Sequence, residues 1–339
     1  MEFISYTDPL ASKINQSCSE LYKILLNLDI DKVNIPNEYK DYVLKCHLSR
    51  PEFTLRTSAL LLYKAIKLSG KPLEEIGLLD YGAGVSTLYL LAKKIGVNKV
   101  FYNDLSLSFV DVAKKLDEIF EIHMDDYIPG DSKDCFQYAK NKDYPINIIV
   151  SRNVIEHIYN LKNYFADIHS HYPSALVYNS TTANWNNPLI HIQHVYNHWK
   201  YWKIVREEKK EYVRKISNSN VIKDLDIFIN STRAIGGIEF REAVKQFLNT
   251  NKIIPYRRNY TNIAGLEATW SENLLPHNTY KEMSQFYNIE INPGIWDIHY
   301  KLFFINWITK ILNQLIQITP RWLGNILAPY IFVVARPVK

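Results

Sequence analysis

Two glycines and two carboxylates are spaced in a way that suits the binding of a nucleotide. The turn Asp80-Tyr81-Gly82-Ala83-Gly84 follows a short apolar run, and Asp104 lies 20 residues beyond Gly84. Because glycine lacks a Cβ, it adopts positive φ and lets a ligand approach the backbone closely. In dinucleotide-binding folds, an acid near the position of Asp104 accepts hydrogen bonds from ribose hydroxyls. The pattern therefore predicts a βαβ unit whose glycine turn holds a nucleotide.

The elements that must position these residues flank the turn. The apolar run from Ile76 to Leu79 predicts a strand, and Val-Phe-Tyr at 100–102 predicts the next one. Between them, Ser86 or Thr87 is placed to cap a helix that ends at Gly96. The inward positions of this helix recur at i, i+3, i+4 and i+7, and they are Leu88, Leu91, Ala92 and Ile95.

Two cofactor classes use this geometry, and the turn discriminates between them. The nicotinamide and flavin fingerprint has a third glycine at the position of Thr87. The segment 80–84 instead resembles the first motif of class I S-adenosylmethionine-dependent methyltransferases, with Ser86 where a glycine is common. The resemblance implies that the turn binds S-adenosylmethionine, and that Asp80 orients the loop or the methionine ammonium group.

The resemblance continues downstream of Asp104. Residues 121–124 are predicted to form the third strand, and the family places an acid after it against the adenine amine, which implies Asp125 or Asp126. The segment Val154-Ile155-Glu156-His157 resembles the Val-Leu-Glu-His-like signature that follows the fourth strand. The cofactor-binding residues implied by the resemblance are Asp80, Gly82, Ala83, Gly84, Ser86, Asp104, Leu105, Asp125, Asp126 and Asn153.

The order of elements predicts an α/β fold with a Rossmann-like, seven-stranded, mostly parallel sheet and an antiparallel last strand. A helix containing Tyr280, Met283 and Phe286 is predicted before a sixth strand at 288–295, and 330–335 is predicted as the seventh. We expect a helical amino-terminal segment (1–72), the cofactor-binding core (73–180), a helical cap insertion (181–275) and a closing segment (276–339).

Histidines are the candidates for acid-base chemistry. Methyl transfer from a sulfonium needs positioning, exclusion of water and at most a base. His157 follows the fourth strand at the carboxyl edge of the sheet, so it is either the base or a residue that orders the adjacent loop. Some family members bind a metal through an acid at the position of Asn153, which this chain lacks.

Three further histidines, His191, His194 and His198, are spaced to share one face of a helix beyond the fifth strand. We expect one of them, His191 or His194 first, to line the acceptor pocket. No metal site is expected, because i to i+7 spans about 10 Å along a helix. A structural role for all three is the alternative.

Two cap residues could contact an acceptor. Arg233 could pair with an anionic group and Trp270 could stack on a sugar ring, although a surface arginine and a buried tryptophan are the alternatives. Arg257-Arg258 beside Tyr256 and Tyr260 is interpreted as a loop surface. A nucleic-acid partner is therefore not expected.

A broad apolar stripe at helical spacing runs through 302–318. Polar residues interrupt it, so it does not predict a membrane span. The stripe favours packing on the domain; peripheral membrane contact or dimerisation is the alternative, which Trp307 and Trp322 keep open.

Composition agrees with a globular protein that has a full core, with 47% hydrophobic and 22% charged residues. The three cysteines are far apart, which argues against a disulfide framework or zinc ribbon and favours a reducing compartment. The first ten residues carry no apolar run. We therefore expect a cytoplasmic protein.

The sequence favours methyl transfer from S-adenosylmethionine to an oxygen of a small molecule or glycan precursor. The alternative from another class is a non-catalytic Rossmann-like scaffold or sensor that binds the same compound. An NAD-dependent oxidoreductase is disfavoured by Thr87.

Overall fold

A twisted sheet organises the chain. The computed structural model describes residues 2–217, 222–253, 262–266, 272–298, 300 and 302–338. The strands are β1 Gly77–Asp80, β2 Lys99–Asp104, β3 Asp126–Pro129, β4 Ile148–Arg152, β5 Leu176–Thr181, β6 Tyr287–Pro293 and β7 Ile331–Pro337. Their order is β3-β2-β1-β4-β5-β7-β6, and β7 runs antiparallel to both of its neighbours. The predicted seven-stranded, mostly parallel sheet with an antiparallel last strand is confirmed.

Helices cover both faces of this sheet. They are α1 Pro9–Asn27, α2 Asn37–Val43, α3 Pro51–Ser69, α4 Thr87–Lys94, α5 Leu107–Phe120, α6 Ser132–Asn141, α7 Leu161–His171, α8 Pro188–Ser217, α9 Leu225–Ser231, α10 Gly237–Thr250, α11 His277–Lys281, α12 Phe303–Ile318 and α13 Arg321–Leu327. Alternate strand residues enter two separate cores, so that Leu78 packs with α1, α3 and α4 while Leu79 packs with α6 and α7.

The glycine turn and its helix have the predicted arrangement. β1 ends at Asp80, and the Ser86 Oγ accepts a hydrogen bond of 3.0 Å from the Leu88 backbone N–H at the start of α4. Of the two predicted caps, Ser86 is therefore the one used. The cap fixes the direction in which the chain leaves the glycine turn.

The predicted third strand at 121–124 is wrong. α5 ends at Phe120, and Glu121 adopts a left-handed conformation with φ 54° that closes the helix. Ile122 and Met124 are buried in a loop, and β3 begins only at Asp126. Asp125 and Asp126 therefore lie at the amino end of a parallel strand, on the edge opposite to the one where ligands bind in open α/β sheets.

The insertion after β5 is helical in its described residues. α8, α9 and α10 enclose their own apolar cluster around Phe228, Phe240 and Phe247. The buried Lys209 of α8 donates hydrogen bonds of 2.7 and 2.9 Å to the carbonyls of Thr232 and Ile235. A cation there satisfies carbonyls just beyond the carboxyl end of α9.

The last part of the chain closes the sheet, with two departures from the prediction. The helix predicted around Tyr280 to Phe286 is α11, which ends at Lys281. The apolar stripe of α12 packs on the domain only in part, because Ile316 is buried whereas Phe304, Trp307 and Ile308 are exposed. No helix in the described ranges combines the length and hydropathy needed to span a bilayer.

Candidate functional site

A cleft opens at the carboxyl ends of β1, β2, β3 and β4, with a volume of about 830 Å³. From β1 the chain proceeds outward through β2 and β3, and then returns to the other side of β1 with β4. Open α/β sheets bind ligands at this kind of switch point, because the loops on either side separate there. The cleft is therefore the candidate ligand site.

The glycine turn is held against the end of β2. The Ala83 N–H donates to the Asn103 carbonyl at 2.7 Å, and the Gly82 N–H donates to the Asn103 side-chain oxygen at 3.2 Å. Gly82 has φ +65°, and a Cβ built there would lie 2.6 Å from Cγ1 of Val154. The turn therefore requires glycine for both conformation and space.

Asp104 joins this turn to the cleft. Its Oδ2 accepts a bond of 3.0 Å from the Gly84 N–H, and its Oδ1 accepts one of 2.9 Å from the Ser106 N–H. Burial raises the pKa of Asp104. An ionised carboxylate has about four acceptor positions, so two remain for the hydroxyls of a ligand. Asp104 and the adjacent, exposed Leu105 both line the cleft.

The other predicted residues of the turn support it from beneath. Asp80 is buried, and it accepts a bond of 3.4 Å from the Ser86 hydroxyl. Burial raises the pKa of Asp80 to about 7. Of the turn residues, Gly82 lines the cleft together with Tyr81, whereas Ala83 and Gly84 are buried beside it. Asp80 and Ser86 thus orient the loop and do not open onto the ligand volume.

Asp125 and Asp126 have other partners. Asp125 pairs with the ammonium groups of Lys93 at 2.5 Å and Lys99 at 3.0 Å. Asp126 accepts hydrogen bonds from the hydroxyls of Tyr138 and Tyr144. Neither acid lines the cleft, because both lie at the start of β3 whereas the cleft lies beyond the end of this strand. Their assignment to adenine is therefore withdrawn.

The acid at the correct end of β3 is Asp131, which the sequence prediction missed. It lines the cleft and caps α6 by accepting a bond of 3.1 Å from the Asp134 N–H. Asn103 positions this loop, since its amide donates to the carbonyls of Ile128 and Gly130. The run Gly130-Asp131-Ser132 is a turn followed by a helix cap, and this signal was present in the sequence.

Asn153 and His157 form the wall beyond β4. Asn153 has φ 56°, and its N–H donates to the Ser180 carbonyl at 2.8 Å. His157 lines the cleft, whereas Glu156 is buried behind it. Burial raises the pKa of Glu156. The predicted base candidate therefore reaches the ligand volume.

The cap supplies the opposite wall, which no local pattern indicated. The Tyr159 hydroxyl donates to the Glu239 carboxylate at 2.5 Å and accepts from the Gly236 N–H at 3.3 Å. Tyr159, Glu239 and Glu242 all line the cleft. The start of α10 thus faces the glycine turn across the ligand volume.

The α8 histidines do not line this cleft. The ring of His191 packs edge-on against Trp185 and makes a hydrogen bond of 3.2 Å with the Trp185 carbonyl. His194 and His198 are buried and face Glu272. The expectation that one of the three lines the acceptor pocket is not met, because α8 turns this face toward the segment before α11.

The remaining candidates, which come from the cap, either lie away from the cleft or lie outside the described residues. The Arg233 guanidinium lies 5.5 Å from the centre of the Trp202 ring and does not line the cleft. Trp270, and the cluster at 256–260 that contains Arg257 and Arg258, lie outside the described residues.

Comparison with protein families gives one match, of residues 56–215 to the methyltransferase domain. This range contains β1 to β5, the glycine turn and the wall with His157. Over residues 56–215, slightly less than half of the chain, the sequence therefore matches a methyltransferase domain, and its sheet has the Rossmann-like arrangement of the class I type. The match ends inside α8, so most of the cap and the last two strands lie outside it.

Solved structures with a related fold are distant in sequence. The PH0226 protein from Pyrococcus horikoshii is 20% identical over 44% of this chain and 66% of its own, with a TM-score of 0.34. An S-adenosylmethionine-dependent methyltransferase from Clostridium acetobutylicum is 12% identical over 43% and 56%, with a TM-score of 0.31. A Haloferax volcanii protein, described as a putative methyltransferase and solved with the Trm112 methyltransferase activator, is 11% identical over 90% and 98%, with a TM-score of 0.38.

The alignments of this chain with PH0226 and with two other solved structures cover about half to two thirds of the length of each of those proteins. No curated protein matches it.

Proposed function

We propose that this methyltransferase binds S-adenosylmethionine in the cleft and transfers its methyl group to a hydroxyl oxygen of a small, uncharged acceptor, such as a sugar of a glycan precursor. The observation that carries the proposal is the connection of the Asp104 carboxylate to the Gly84 N–H at 3.0 Å. This bond joins a ribose-binding acid and a ligand-binding turn at one point of the cleft.

The cleft residues divide into a cofactor side and an acceptor side. Asp104 has acceptor positions for the ribose hydroxyls. Leu105 supplies an apolar surface for adenine, and Asp131 supplies an acceptor for its amine. Gly82 leaves room for the methionine part of the cofactor beside Asn153. The cofactor itself supplies an activated methyl group, so the protein need only orient it and exclude water.

The charge of the cleft favours an acceptor without negative groups. Its described lining contains five acids and one lysine: Asp104, Asp131, Asp167, Glu239, Glu242 and Lys133. Carboxylates repel phosphate and carboxylate groups, and they accept hydrogen bonds from hydroxyls. This balance also argues against a nucleic-acid acceptor, whose phosphates require cationic contacts.

Two groups could take the proton that an acceptor hydroxyl loses. His157 stands on the wall beyond β4, and the hydrogen-bonded pair of Tyr159 and Glu239 stands on the cap side. An imidazole near neutral pH is a general base suited to this step. We assign His157 as the base and the Tyr159–Glu239 pair as the group that orients the acceptor hydroxyl.

A binding scaffold without turnover is the alternative. It would keep the same cofactor contacts, so affinity for S-adenosylmethionine cannot separate it from an enzyme. The discriminating experiment is transfer of radiolabelled methyl to neutral sugars and phenols, with an amine acceptor and a phosphorylated sugar for comparison. The proposal expects transfer to a neutral hydroxyl compound, and tight cofactor binding with no transfer to any of them would contradict it.

Two variants separate chemistry from binding. His157→Gln removes the base but keeps a polar side chain, so kcat should fall by about 10²–10⁴-fold, the typical contribution of general acid-base catalysis, with little change in cofactor affinity. Glu239→Gln should mainly raise KM for the acceptor. Asp126→Asn, outside the cleft, is the matched control and should change neither value.

A further inference from the structure

A cluster of potential metal ligands lies outside the cleft. One ligand atom from each of His194, His198 and Glu272 lies within 4.8 Å of the other two. We propose that these three side chains bind a divalent transition metal ion, with Zn²⁺ the best fit. The ion would tie the first part of α8 to the segment that precedes α11.

The local geometry of α8 brings the two imidazoles together. His194 and His198 are separated by four residues, so they lie on adjacent turns of one helix face. Their ring centres are 6.3 Å apart. This pair, unlike the i to i+7 pair, is close enough to share one ion, because one helical turn rises only about 5.4 Å.

Glu272 reaches the pair through a separate connection. The N–H of Asn273 donates to the carbonyl of Glu156 at 2.7 Å, which fixes the segment before α11 against the end of β4. The Glu272 carboxylate then pairs with Nδ1 of His194. The third ligand therefore comes from residues far along the chain and is placed by tertiary contacts.

His194 already has the outer contact typical of a metal ligand. Its Nε2 makes a hydrogen bond of 3.2 Å with the Thr182 carbonyl. Because a carbonyl only accepts, Nε2 carries the hydrogen, and Nδ1 is the atom directed at Glu272. Metal-binding histidines are commonly oriented by donating the second ring N–H to a backbone carbonyl.

An ion pair between His194 and Glu272 would give the buried side-chain atoms of these two residues a partner, but it would give none to His198. The side chain of His198 is 1% exposed. Its ring nitrogens make no hydrogen bond of good geometry within the described residues, although the backbone of Glu272 lies close enough to interact with the ring. Buried polar atoms without a partner are uncommon, and a bound ion is one of their explanations.

The donor types indicate the class of metal. Two imidazole nitrogens and one carboxylate suit Zn²⁺ and related first-row ions, whereas Mg²⁺ and Ca²⁺ prefer oxygen ligands. Three protein ligands also leave a coordination position open. The side chain of Glu272 is 33% exposed, so solvent can reach this side of the cluster. The Arg233 guanidinium disfavours a positive charge on His198, whereas the buried Glu156 favours one on His194.

The test is metal binding by the full chain. The purified protein is stripped with a chelator and titrated with Zn²⁺ against a competing chromophoric chelator, then loaded with Co²⁺ and followed by visible absorption. We expect one Zn²⁺ per chain and the intense absorption of tetrahedral Co²⁺. His198→Gln and His194→Gln should weaken Zn²⁺ binding by more than about 100-fold, because even loss of an outer contact costs about 10–100-fold.

His191→Gln is the matched control, since it changes a histidine of the same helix outside the cluster, and it should bind Zn²⁺ normally. Circular dichroism checks that each variant is folded. The proposal is overturned if the folded parent chain fails to compete for Zn²⁺, or if His198→Gln binds as the parent does. Neither readout depends on methyl transfer, so failure here leaves the proposed enzyme function untouched.

Discussion

Replacement of Gly82 by alanine tests the construction of the cofactor turn. The new methyl group would lie 2.6 Å from Cγ1 and 2.9 Å from Cγ2 of Val154. The backbone has φ +65° there, which costs an alanine about 1–2 kcal/mol. Overpacking against Val154 adds about 1–3 kcal/mol. The free energy of unfolding should therefore fall by about 2–5 kcal/mol.

Gly84→Ala separates the two contributions. Gly84 also has positive φ, at +55°, but the nearest atom to a Cβ built there is the Tyr42 hydroxyl oxygen at 3.9 Å. This variant should lose only the conformational part, about 1–2 kcal/mol. The double variant Gly82→Ala, Val154→Ala removes both contacts below 3.0 Å, so relative to Val154→Ala alone it should lose only about the conformational 1–2 kcal/mol.

Urea unfolding without ligand measures these differences, and calorimetric titration with S-adenosylmethionine then reports the turn's role in binding. We expect Gly82→Ala to bind most weakly, with recovery in the double variant. Equal destabilisation by the two alanines would refute the reasoning. The reasoning would also be refuted if Val154→Ala did not relieve the effect of Gly82→Ala, because position 82 would then not be in close contact with Val154.

Three further changes test separate features of the fold and the site. Asp104→Asn should weaken S-adenosylmethionine binding about tenfold or more, since bonds to a charged acceptor are worth about 1 kcal/mol more than neutral ones, whereas Asp126→Asn should not change it in the same titration. Burial raises the pKa of Asp117 to about 7, well above its unfolded value near 3.9, so the folded state holds the proton longer and the free energy of unfolding should fall as pH rises from about 4 to 7. Asp117→Asn should remove this part of the pH dependence, up to about 4 kcal/mol, as measured by urea unfolding at several pH values. Lys209→Met should leave the buried Ile235 carbonyl without this donor, whereas the Thr232 carbonyl keeps the Ile235 N–H at 3.2 Å; the change should cost about 1–3 kcal/mol, seen first as faster hydrogen exchange in α9 and α10.

The cofactor turn was predictable because its determinants are local. The strand before Asp80, the cap at Ser86 and the spacing to Asp104 all lie within one continuous segment. Each uses backbone conformations that a few residue types favour strongly. The mostly parallel sheet followed from the alternation of strands and helices along the chain.

The third strand was predicted at the wrong position because buried residues of a loop can alternate in sequence as those of a strand do. Ile122 and Met124 are buried in the loop, and this alternation was interpreted as a strand. The true strand, Asp-Tyr-Ile-Pro, has only two β-favouring residues between an acid and a proline, so its signal in the sequence is short. The error therefore placed the acid expected to face adenine at the opposite edge of the sheet from Asp131, which lines the cleft.

The cap wall was not predictable from any local pattern, because its contacts join distant residues. Tyr159 and Glu239 meet across 80 positions of sequence. Nothing in the periodicity of α10 indicates that its first turn faces the glycine turn. The same holds for α12, where helical spacing gave the correct element but could not tell whether the apolar face meets the domain or the solvent.

The histidines of α8 show how tertiary context divides a set that the sequence presents as equivalent. Helical geometry places all three within one sector of the helix surface. His191 packs against Trp185, while the segment held by Asn273 brings the Glu272 carboxylate to His194 and His198. The expectation of no metal assumed that all three rings must share it. Once a distant carboxylate replaces the first histidine, two adjacent turns are sufficient, and the objection based on distance no longer applies.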